Sequence, residues 1–548
     1  MNADRLLAHY ERIADAPDAI SRLRRFILDL AVRGKLVPQD PNDEPASELL
    51  RHIQTERARF EKQGKLVLQN KQFEKPFVLP SSWEWVPATF PARLISDLGK
   101  KVQTKDILDS GKFPVVDQGK IFVRGFCDDA EKVIRVKEPI ILFGDHTRET
   151  KLIDFDFIVG ADGVKLLQPL CLLASYYYLA LRWLPLESRG YGRHFKLLRS
   201  SSLPLPPLAE QRRIVAKVDE LMALCDRLEA ARAERETARD RLASASLARL
   251  NEPDPDPATF ANHACFVLDN LATFTTRTDQ IKQLRQTILN LAVHGRLVPQ
   301  HPDDEAATVL LKRVAAERAD LVEKRAIRRE KPLEPIGPTE PPFEIPSKWV
   351  WSRIGDAVLF TQYGTSQKSH SDSKGVPVLT MGNIQDGLVI LGNEKTIPES
   401  SDDLPALYLY KFDILYNRTN SAELVGKTGI YLGESHCRTF ASYLIRIRAS
   451  QTSGCARYLN LAMCAPEFRE TQIVPLIKKQ TGQANVNGTA LKNMLVPLPP
   501  LAEQHLIVAK VDELMTLCDQ LEAQLTTTQA NCRLLLEAVL HEALAPAV

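Results

Sequence analysis

The sequence predicts an α/β and coiled-coil protein: two α/β domains separated by two long antiparallel helices, with a pseudo-two-fold internal duplication. Three observations support this fold class. A helical segment occurs twice, a second helical segment upstream of it also occurs twice, and each half carries a block of short β-prone runs that has no counterpart in the other half. The repeat period is too long for a solenoid, so we interpret the chain as a duplicated half. Its 548 residues are enough for several domains.

The repeated helical segment is nearly identical in its two copies. Residues 206–230 read PPLAEQRRIVAKVDELMALCDRLEA, and residues 499–523 read PPLAEQHLIVAKVDELMTLCDQLEA. Because no Gly or Pro follows the Pro-Pro pair, the first helix is predicted from about Leu208 to Leu250. Apolar residues recur at steps of four and three, as in the seam of a coiled coil. These seam residues are Ile214, Val218, Leu221 and Leu228 in the first copy and Ile507, Val511, Leu514 and Leu521 in the second.

We expect the two seams to pair with each other in antiparallel orientation, because two near-identical helices in one chain present equal faces. The alternative is two separate amphipathic core helices, which the same spacing would also produce.

The second repeat lies upstream of each long helix. LRRFILDLAVRGKLVPQDPNDEPA from Leu23 returns as LRQTILNLAVHGRLVPQHPDDEAA from Leu284. In each copy a helix runs to a Gly, Gly34 or Gly295, which is placed to form a left-handed C-cap. A second helix, a charged linker and a Pro-bounded tryptophan motif follow in both halves.

These repeats define six predicted segments. Residues 1–86 form an N-terminal helical arm and linker, and residues 253–348 form a second one. The two α/β blocks span 87–205 and 349–496. The long helices fall within 206–252 and 497–548.

Charge is distributed unevenly along a nearly neutral chain. The net charge is +2, yet residues 87–202 hold 18 Lys and Arg against 14 Asp and Glu, and residues 353–493 hold 15 against 12. A bulk polycation is excluded, and two mildly basic blocks in an acidic frame are compatible with nucleic-acid binding by the blocks.

Cysteine spacing and hydropathy indicate the cellular compartment of the protein. The nine cysteines include no Cys-x-x-Cys pair, so we expect reduced thiols, no metal site and a cytoplasmic protein. The most apolar run, residues 169–181, is too short to span a bilayer, and we expect no membrane partner.

With both repeats and the unlike blocks in hand, the chain resembles the specificity subunit of a Type I restriction–modification system over nearly its whole length. The block motifs that carry the resemblance include FPVVDQG (113–119), ILFGDHTR (141–148), LYNRTNSAELVGK (415–427) and KKQTGQANVNGTALKNMLVPLPP (478–500). The resemblance implies that each block is a target-recognition domain for one half of a bipartite DNA site. It implies that the helices set the spacing and dock methyltransferase subunits.

The same resemblance implies the partners and cofactors. Double-stranded DNA, two methyltransferase subunits and restriction/translocase subunits are expected as partners. This chain would hold no cofactor, whereas S-adenosylmethionine, ATP and Mg would be bound by the partner subunits.

No catalytic motif is complete. The nearest match to a base-holding methyltransferase motif is EPPF at 340–343, where Glu replaces the required amide within a charged linker. GKT at 426–428 has the end of a phosphate-binding loop, but Ser421 stands where its first Gly is needed. We therefore predict a non-catalytic chain.

Candidate DNA-reading residues in the second block lie in two polar runs. Asn pairs with adenine edges, Arg with guanine, and Ser or Thr with phosphates. The alternative is turns and solvated loops that satisfy their own backbone. The candidates are Asn383, Asn417, Arg418, Thr419, Asn420, Lys427, Lys478, Lys479, Gln480, Gln483 and Asn485.

Candidates in the first block are mostly basic. The Asp-His pair at 145–146 also suggests a metal or acid–base site, but a hydrogen-bonded turn or a DNA contact is favoured because no second ligand cluster is nearby. The candidates are His146, Thr147, Arg148, Lys165, Arg189, Tyr191, Arg193, His194 and Lys196.

Two other functional classes stay open at this point. A coiled-coil adaptor that binds only proteins would lack salt-dependent DNA affinity. The recognition half of a single-chain modification enzyme would need a fused catalytic domain, which this sequence lacks.

Overall fold

A computed structural model describes residues 16, 18–63, 73–160, 163–187, 190, 192–252, 257–371, 375–392, 394–477 and 484–544. The chain folds into two compact units, the first formed by Met1–Arg235 with Thr528–Val548 and the second by Glu236–Thr527. Each long helix begins in one unit and ends in the other. A unit therefore contains the start of one long helix and the end of the other.

The first unit holds a helical arm followed by an α/β domain. Its helices are α1 (Ala19–Val32), α2 (Ala46–Lys62), α3 (Ala174–Trp183), α4 (Phe195–Leu198) and the start of the long helix α5 (Leu208–Asn251). Its strands are β1 (Glu84–Pro87), β2 (Ala92–Ile95), β3 (Phe113–Val116), β4 (Gly125–Cys127), β5 (Ile140–Gly144), β6 (Thr150–Ile153), β7 (Ile158–Val159), β8 (Val164–Pro169) and β9 (Ser202–Leu205).

The first α/β domain contains two small sheets. An antiparallel four-stranded sheet has the order β2-β8-β5-β6, and a three-stranded sheet has the order β4-β3-β7. The tryptophan-motif strand β1 pairs antiparallel with β9, the last strand before the Pro-Pro pair. The domain is therefore closed at its base, directly before the long helix begins.

The second unit repeats this plan with a larger domain. Its helices are α6 (Pro257–Asp269), α7 (Leu271–Phe274), α8 (Thr278–Val293), α9 (Ala307–Glu323), α10 (Ile354–Ala357), α11 (Ala456–Cys464), α12 (Pro466–Phe468), α13 (Gly488–Asn493) and the start of the long helix α14 (Leu501–Leu544). Its strands are β10 (Val350–Arg353), β11 (Phe360–Tyr363), β12 (Val376–Leu379), β13 (Ile384–Gln385), β14 (Gly387–Val389), β15 (Lys395–Ile397), β16 (Ile414–Asn417), β17 (Thr419–Asn420), β18 (Thr428–Ile430), β19 (Thr439–Phe440), β20 (Leu444–Arg448), β21 (Ala484–Asn485) and β22 (Leu495–Leu498).

The second α/β domain is built on a six-stranded sheet of order β11-β20-β16-β18-β14-β13, beside a three-stranded sheet of order β15-β12-β19. Strand β10 pairs with β22 in the register that β1 and β9 have in the first unit. The short strands β17 and β21 form a separate two-stranded ribbon. The predicted fold class is confirmed: two α/β domains alternate with two long helices in a duplicated chain.

In the first unit the arm helix α1 runs antiparallel to α5. Arg24 Nη2 donates to Asp226 Oδ1 at 2.5 Å, and Gln39, which follows α1, donates to Glu210 Oε1 at 2.5 Å. Residues later in the arm therefore contact residues earlier in α5, so the two helices run in opposite directions.

The same arm helix runs parallel to the end of α14. Arg533 Nε lies 3.6 Å from Asp18 Oδ2 at the beginning of α1, and Lys35 Nζ donates to the carbonyl oxygen of Leu544 at 2.8 Å beyond its end. Because α1 is antiparallel to α5 and parallel to α14, the two long helices are antiparallel in this unit, as predicted.

The second unit reverses the roles of the two long helices. Arm helix α8 is antiparallel to α14, since Arg285 pairs with Asp519 at 2.6 Å and Gln300 with Glu503 at 2.5 Å. It is parallel to the end of α5. Arg277, directly before α8, contacts Asp240 of α5, and Arg296, which follows α8, donates to the Leu250 carbonyl oxygen near the end of α5.

Four of the predicted seam residues are buried and the other four are partly buried, but the partner predicted for them was wrong. Ile214 and Val218 lie in one core with Ile27 and Ala31 of α1, and Leu221 packs against that core. In the second unit Ile507 and Val511 share a core with α8, and Leu514 and Leu521 pack against it. Each seam is therefore covered by the arm of its own half. Leu228 is partly buried.

The physical reason is that the arm helices are apolar on two faces. In α1, Ile27 and Ala31 pack in the core that contains the start of α5, whereas Phe26 and Leu30 share a core with Leu536 of α14. Heptad spacing identifies an apolar stripe but not the helix that covers it. An inserted third helix is equally compatible with the sequence.

The predicted glycine caps are confirmed. Gly34 and Gly295 have φ values of +65° and +68°. A Cβ atom at these positions would lie 2.5 Å from Pro80 Cγ and 2.6 Å from Pro346 Cγ, respectively. Glycine is thus required both by the left-handed backbone and by the close approach of the proline. Within the described ranges, no helix combines the length and apolar character needed to cross a membrane.

Candidate nucleic-acid interface

In the second domain, strand pairing joins two polar runs that are far apart in sequence. Strand β17 pairs with β21, which places Thr419 opposite Asn485 and Asn420 opposite Ala484. Thr419 Oγ1 donates to Asn485 Oδ1 at 3.3 Å. The ribbon therefore brings candidate residues from both predicted motifs to one place.

The Arg418 side chain beside this ribbon is held in one orientation. Its guanidinium carbon lies 4.9 Å from the centroid of the Tyr363 ring, a cation–π distance. Nε donates to Asn485 Oδ1 at 3.4 Å, and Nη1 donates to the carbonyl oxygen of Ser442 at 3.5 Å. Arginine has five N–H donors, so the pre-oriented group retains donors for a base edge or a phosphate.

Tyr363 supports this arrangement and was not among the predicted site residues. Its ring is 44% exposed, and its hydroxyl accepts a hydrogen bond from the Gly488 N–H at 2.7 Å. It ends strand β11, whose partner β20 lies far along the chain. Only the β-prone run FTQY was visible in the sequence, and nothing in that run linked it to Arg418.

Other candidates in the second domain differ in exposure. Asn417 is buried, 2% exposed, within strand β16, and its predicted DNA contact stays untested. Asn383 is partly buried and caps its own turn, since its Oδ1 accepts from the Thr380 N–H at 2.8 Å and its Nδ2 donates to the Ile390 carbonyl at 2.9 Å. Asn420 Oδ1 accepts from the next backbone N–H. Lys427 is exposed.

Six predicted residues lie outside the described residues, and their predictions stay untested. They are Arg189, Tyr191, Lys478, Lys479, Gln480 and Gln483.

In the first domain, hydrogen bonds fix the Asp-His turn after β5 to His194 and Phe195. Asp145 is buried, its Oδ1 accepts from the Phe195 N–H at 2.7 Å, and its carbonyl oxygen accepts from the His194 N–H at 2.7 Å. His194 Nδ1 lies 2.9 Å from the same carbonyl oxygen. His194 is buried, 1% exposed, and its side chain takes part in this contact, so its predicted role in DNA contact stays untested.

No cluster of three or more His, Cys, Asp and Glu side chains placed to hold a metal ion occurs among the described residues.

The remaining candidates of the turn are exposed or partly exposed and support the local backbone. His146 donates its backbone N–H to Gln118 Oε1 at 3.1 Å. Thr147 Oγ1 donates to the Gln118 carbonyl at 2.6 Å. Arg148 has a φ of +65°, and its Nη1 donates to the Leu186 carbonyl at 2.7 Å. Self-satisfying turn contacts therefore account for much of this motif.

Basic side chains lie on the surface near this turn. Arg193 and Lys196 are exposed on either side of His194. Lys165, on β8, is partly buried, with its Nζ 5.8 Å from the centre of the Phe195 ring. These three residues stay candidates for DNA contact.

A loop that the sequence analysis did not select lies beside this turn. In residues 117–124, here called the Phe122 loop, Ile121 is 60% and Phe122 is 46% exposed. The buried Lys151 ammonium holds the loop by donating to the carbonyls of Asp117 at 2.8 Å and Ile121 at 2.6 Å. Burial lowers the pKa of Lys151. The signal in the sequence is an Asp-Gln-Gly turn followed by Lys120, three apolar residues and Arg124.

Comparison with known proteins gives a consistent result. The family model described as Type I restriction modification DNA specificity domain matches residues 94–235 and 346–528, once in each half. The chain is 31% identical over 566 residues to the Type I restriction enzyme EcoEI specificity subunit of Escherichia coli, covering 96% of this chain and 94% of that protein. It is 30% identical over 550 residues to the EcoAI specificity subunit of the same species, covering 93% and 91%. The crystal structure of the HsdS subunit from Thermoanaerobacter tengcongensis matches with a TM-score of 0.41 and 18% identity, covering 86% of this chain and 98% of that one.

Proposed function

Because this chain belongs to the DNA specificity subunits of Type I restriction–modification systems, its function is DNA sequence recognition, and we propose that each α/β domain reads one half of a bipartite DNA site. One observation carries the proposal. The frame of arms and long helices repeats residue by residue, whereas the two domains differ in strand number and strand order. A repeated frame with unlike domains is expected if the domains are readers of different sequences. The adaptor alternative finds no support in the comparisons.

In the second domain we assign the reading role to Arg418, supported by Tyr363 and Asn485. A guanidinium stacked on an aromatic ring loses little conformational entropy on binding, because its orientation is already fixed. In the first domain the corresponding role falls to Arg193, Lys196 and the Phe122 loop, which present cations and exposed apolar groups.

The chemistry belongs to partner subunits in this proposal. The chain is a specificity subunit and not the catalytic component. S-adenosylmethionine, ATP and Mg would be bound by methyltransferase and restriction/translocase subunits, which would join this chain in one complex.

The long helices offer two equal surfaces for two copies of the methyltransferase. Leu224 on α5 is 41% exposed, and Leu517 at the same position of the repeat on α14 is 40% exposed. Each is preceded by a Lys-Glu pair, Lys217 with Glu220 and Lys510 with Glu513. An exposed leucine kept in both copies at nearly equal exposure fits a docking contact made twice.

The reading proposal is tested by Arg418→Ala in the assembled methyltransferase complex. Binding is measured to duplexes varied in each half-site separately, at two salt concentrations. If Arg418 contacts a guanine, discrimination at one position of one half-site falls by about 1–3 kcal/mol. If it contacts a phosphate, affinity falls for all sequences and the salt slope drops by about one.

Arg193→Ala is the matched variant in the first domain and is expected to leave discrimination in the second half-site unchanged. Equal loss of discrimination in both halves from Arg418→Ala would contradict the assignment of one domain to one half-site.

A further inference from the structure

The second unit contains a large cleft between its arm and its α/β domain. The cleft has a volume of about 1650 Å³. One wall is the segment 324–333 that follows α9, here called the strap, and the other includes strand β11 with Tyr363. Tyr363 is the residue on which the Arg418 guanidinium rests. The strap therefore lines the same cleft as Tyr363, the aromatic support of the proposed reader Arg418.

The strap is fixed to the domain by its acidic and apolar residues. Lys492 Nζ donates to Glu330 Oε1 at 2.6 Å. Leu333 packs so closely over Gly355 that a Cβ atom there would lie 2.8 Å from Leu333 Cδ1. Directly after the strap, Arg353 Nε donates to the Glu334 carbonyl at 2.7 Å. These contacts hold the strap in place without using its cations at 328, 329 and 331.

Those cations give the strap wall a positive charge. Arg328, Arg329 and Lys331 line the cleft and are exposed. Among the described residues none of the three has an acidic partner within ion-pair distance. The one acidic residue of the strap, Glu330, is neutralised by Lys492.

Most acidic groups elsewhere around the cleft are engaged, and one lining carboxylate, Glu323, forms no ion pair within the described part of the chain. Glu317 Oε2 accepts from Ser450 Oγ at 2.5 Å, and Asp356 lies 3.9 Å from Arg318. Below them Asp413, which is 2% exposed, accepts two hydrogen bonds from Arg448 at 2.7 and 2.6 Å. The cleft therefore presents cations without an equal number of unpaired carboxylates, which favours a polyanion.

We propose that the strap binds the phosphate backbone of the DNA duplex that the second domain reads, with Arg328, Arg329 and Lys331 contacting phosphates independently of sequence. The inference rests on the proposed function, since it takes its ligand from the reading role of Arg418. Arginine and lysine contacts to phosphate position a protein on a duplex, whereas base contacts specify the sequence. The strap would position the DNA, and Arg418 would read it.

The test compares two double variants of the assembled complex that remove equal charge. Arg328→Ala/Arg329→Ala removes two strap cations, and Lys282→Ala/Lys312→Ala removes two exposed lysines from the arm helices α8 and α9. Affinity is measured for a cognate duplex, a duplex altered in one half-site and an unrelated duplex, across a series of salt concentrations. The strap variant is expected to bind all three duplexes more weakly. The slope of log K against log salt is expected to become less steep by about 0.9 for each phosphate that the strap no longer neutralises. The ratio of cognate to altered affinity stays constant.

Several outcomes would overturn the inference. A salt slope equal to that of the arm control would show that the strap does not contact phosphate, and a changed preference between cognate and altered duplexes would show that it reads bases. Loss of methyltransferase assembly with unchanged DNA affinity would identify the strap as a protein-binding surface. Failure of the proposed function is distinct, because it would appear as absence of half-site discrimination in the unmodified complex, whatever the salt slopes of the variants.

Discussion

The frames of the two halves make equivalent contacts, and the domains they carry differ. Trp83 Nε1 donates to Glu210 Oε2 at 2.8 Å in the first half, and Trp349 Nε1 donates to Glu503 Oε2 at 2.9 Å in the second. The adjoining domains contain a four-stranded sheet in one half and a six-stranded sheet in the other. The contacts that join a domain to its long helix are thus maintained, while the strands beyond them differ.

The same pattern extends through the base of each domain. Tyr176 and Tyr458 both donate to a proline carbonyl of the closing strand at 2.9 Å. Gln211 and Gln504, near the start of each long helix, both accept from a backbone N–H of the domain, at 2.9 and 3.1 Å. These shared contacts, here called the socket of each half, allow one frame to carry two different domains.

The largest expected effect tests whether the two sockets are energetically equal. Trp83→Ala and Trp349→Ala each remove a buried indole, 4% and 6% exposed, together with its hydrogen bond to the helix carboxylate. We expect each variant to lose about 3–5 kcal/mol of the free energy of unfolding of its own unit. Denaturant unfolding followed by circular dichroism measures the loss.

Trp85→Ala and Trp351→Ala are the matched controls, because these neighbouring indoles are only partly buried, and smaller losses are expected. A difference between Trp83→Ala and Trp349→Ala larger than the difference between the two controls would show that the sockets are alike in geometry but not in energy.

The second effect tests whether the long helices dock two copies of one partner. Leu224→Asp and Leu517→Asp each place a charge on one of the two equal surfaces. We expect each single variant to bind one methyltransferase subunit normally and the other with affinity reduced by about 2 kcal/mol or more. Analytical ultracentrifugation of the mixed subunits measures the stoichiometry.

Ala230→Asp and Ala523→Asp introduce the same charge at exposed positions of the same helices and are expected to leave the stoichiometry at two. If Leu224→Asp bound both methyltransferase subunits as tightly as Ala230→Asp, or Leu517→Asp as tightly as Ala523→Asp, that surface would not be a docking site.

The frame could be predicted from the sequence because repetition and helical spacing record it directly. Helix α5 ends within one residue of the predicted Leu250, and both glycine caps have positive φ values. The covering of the seams could not be predicted. Spacing shows that Ile214 and Ile507 face a core, but it does not identify α1 and α8 as the helices that cover them.

The site was predicted only in part, for a different physical reason. Arg418 and Asn485 were selected by residue type, but their contact depends on pairing between β17 and β21. Three strands and two helices lie between β17 and β21 in the chain, so no local sequence pattern records this pairing. Tyr363 joins them from a third strand. His194 and Asn417 show the converse limit, because hydrogen-bonding capacity does not reveal whether a side chain is turned toward solvent or toward the core.

The smallest effect concerns a socket position at which the halves differ in charge. Arg213 Nη2 lies 2.5 Å from Asp43 Oδ2, whereas the repeat places Leu506, 54% exposed, opposite Asp304. Burial raises the pKa of both Glu210 and Glu503. Near Glu210 the positive charge of Arg213 opposes that rise, and near Glu503 no arginine does so.

Leu506→Arg is therefore expected to stabilise the second unit by up to about 1 kcal/mol at neutral pH, and Arg213→Leu to destabilise the first by a similar amount. A glutamate whose pKa is raised in the folded state contributes stability below its unfolded pKa and loses it as pH rises through the folded value. An arginine that lowers the pKa of Glu503 therefore raises stability at neutral pH, and this gain disappears in acid, where the carboxylates are protonated. Thermal unfolding of both variants at pH 7 and pH 2, in low and high salt, measures the effect. A gain in Leu506→Arg that persisted at pH 2, where aspartate and glutamate are protonated, or in high salt would have to come from packing instead of charge, and the charge difference between the two halves would then have no energetic consequence.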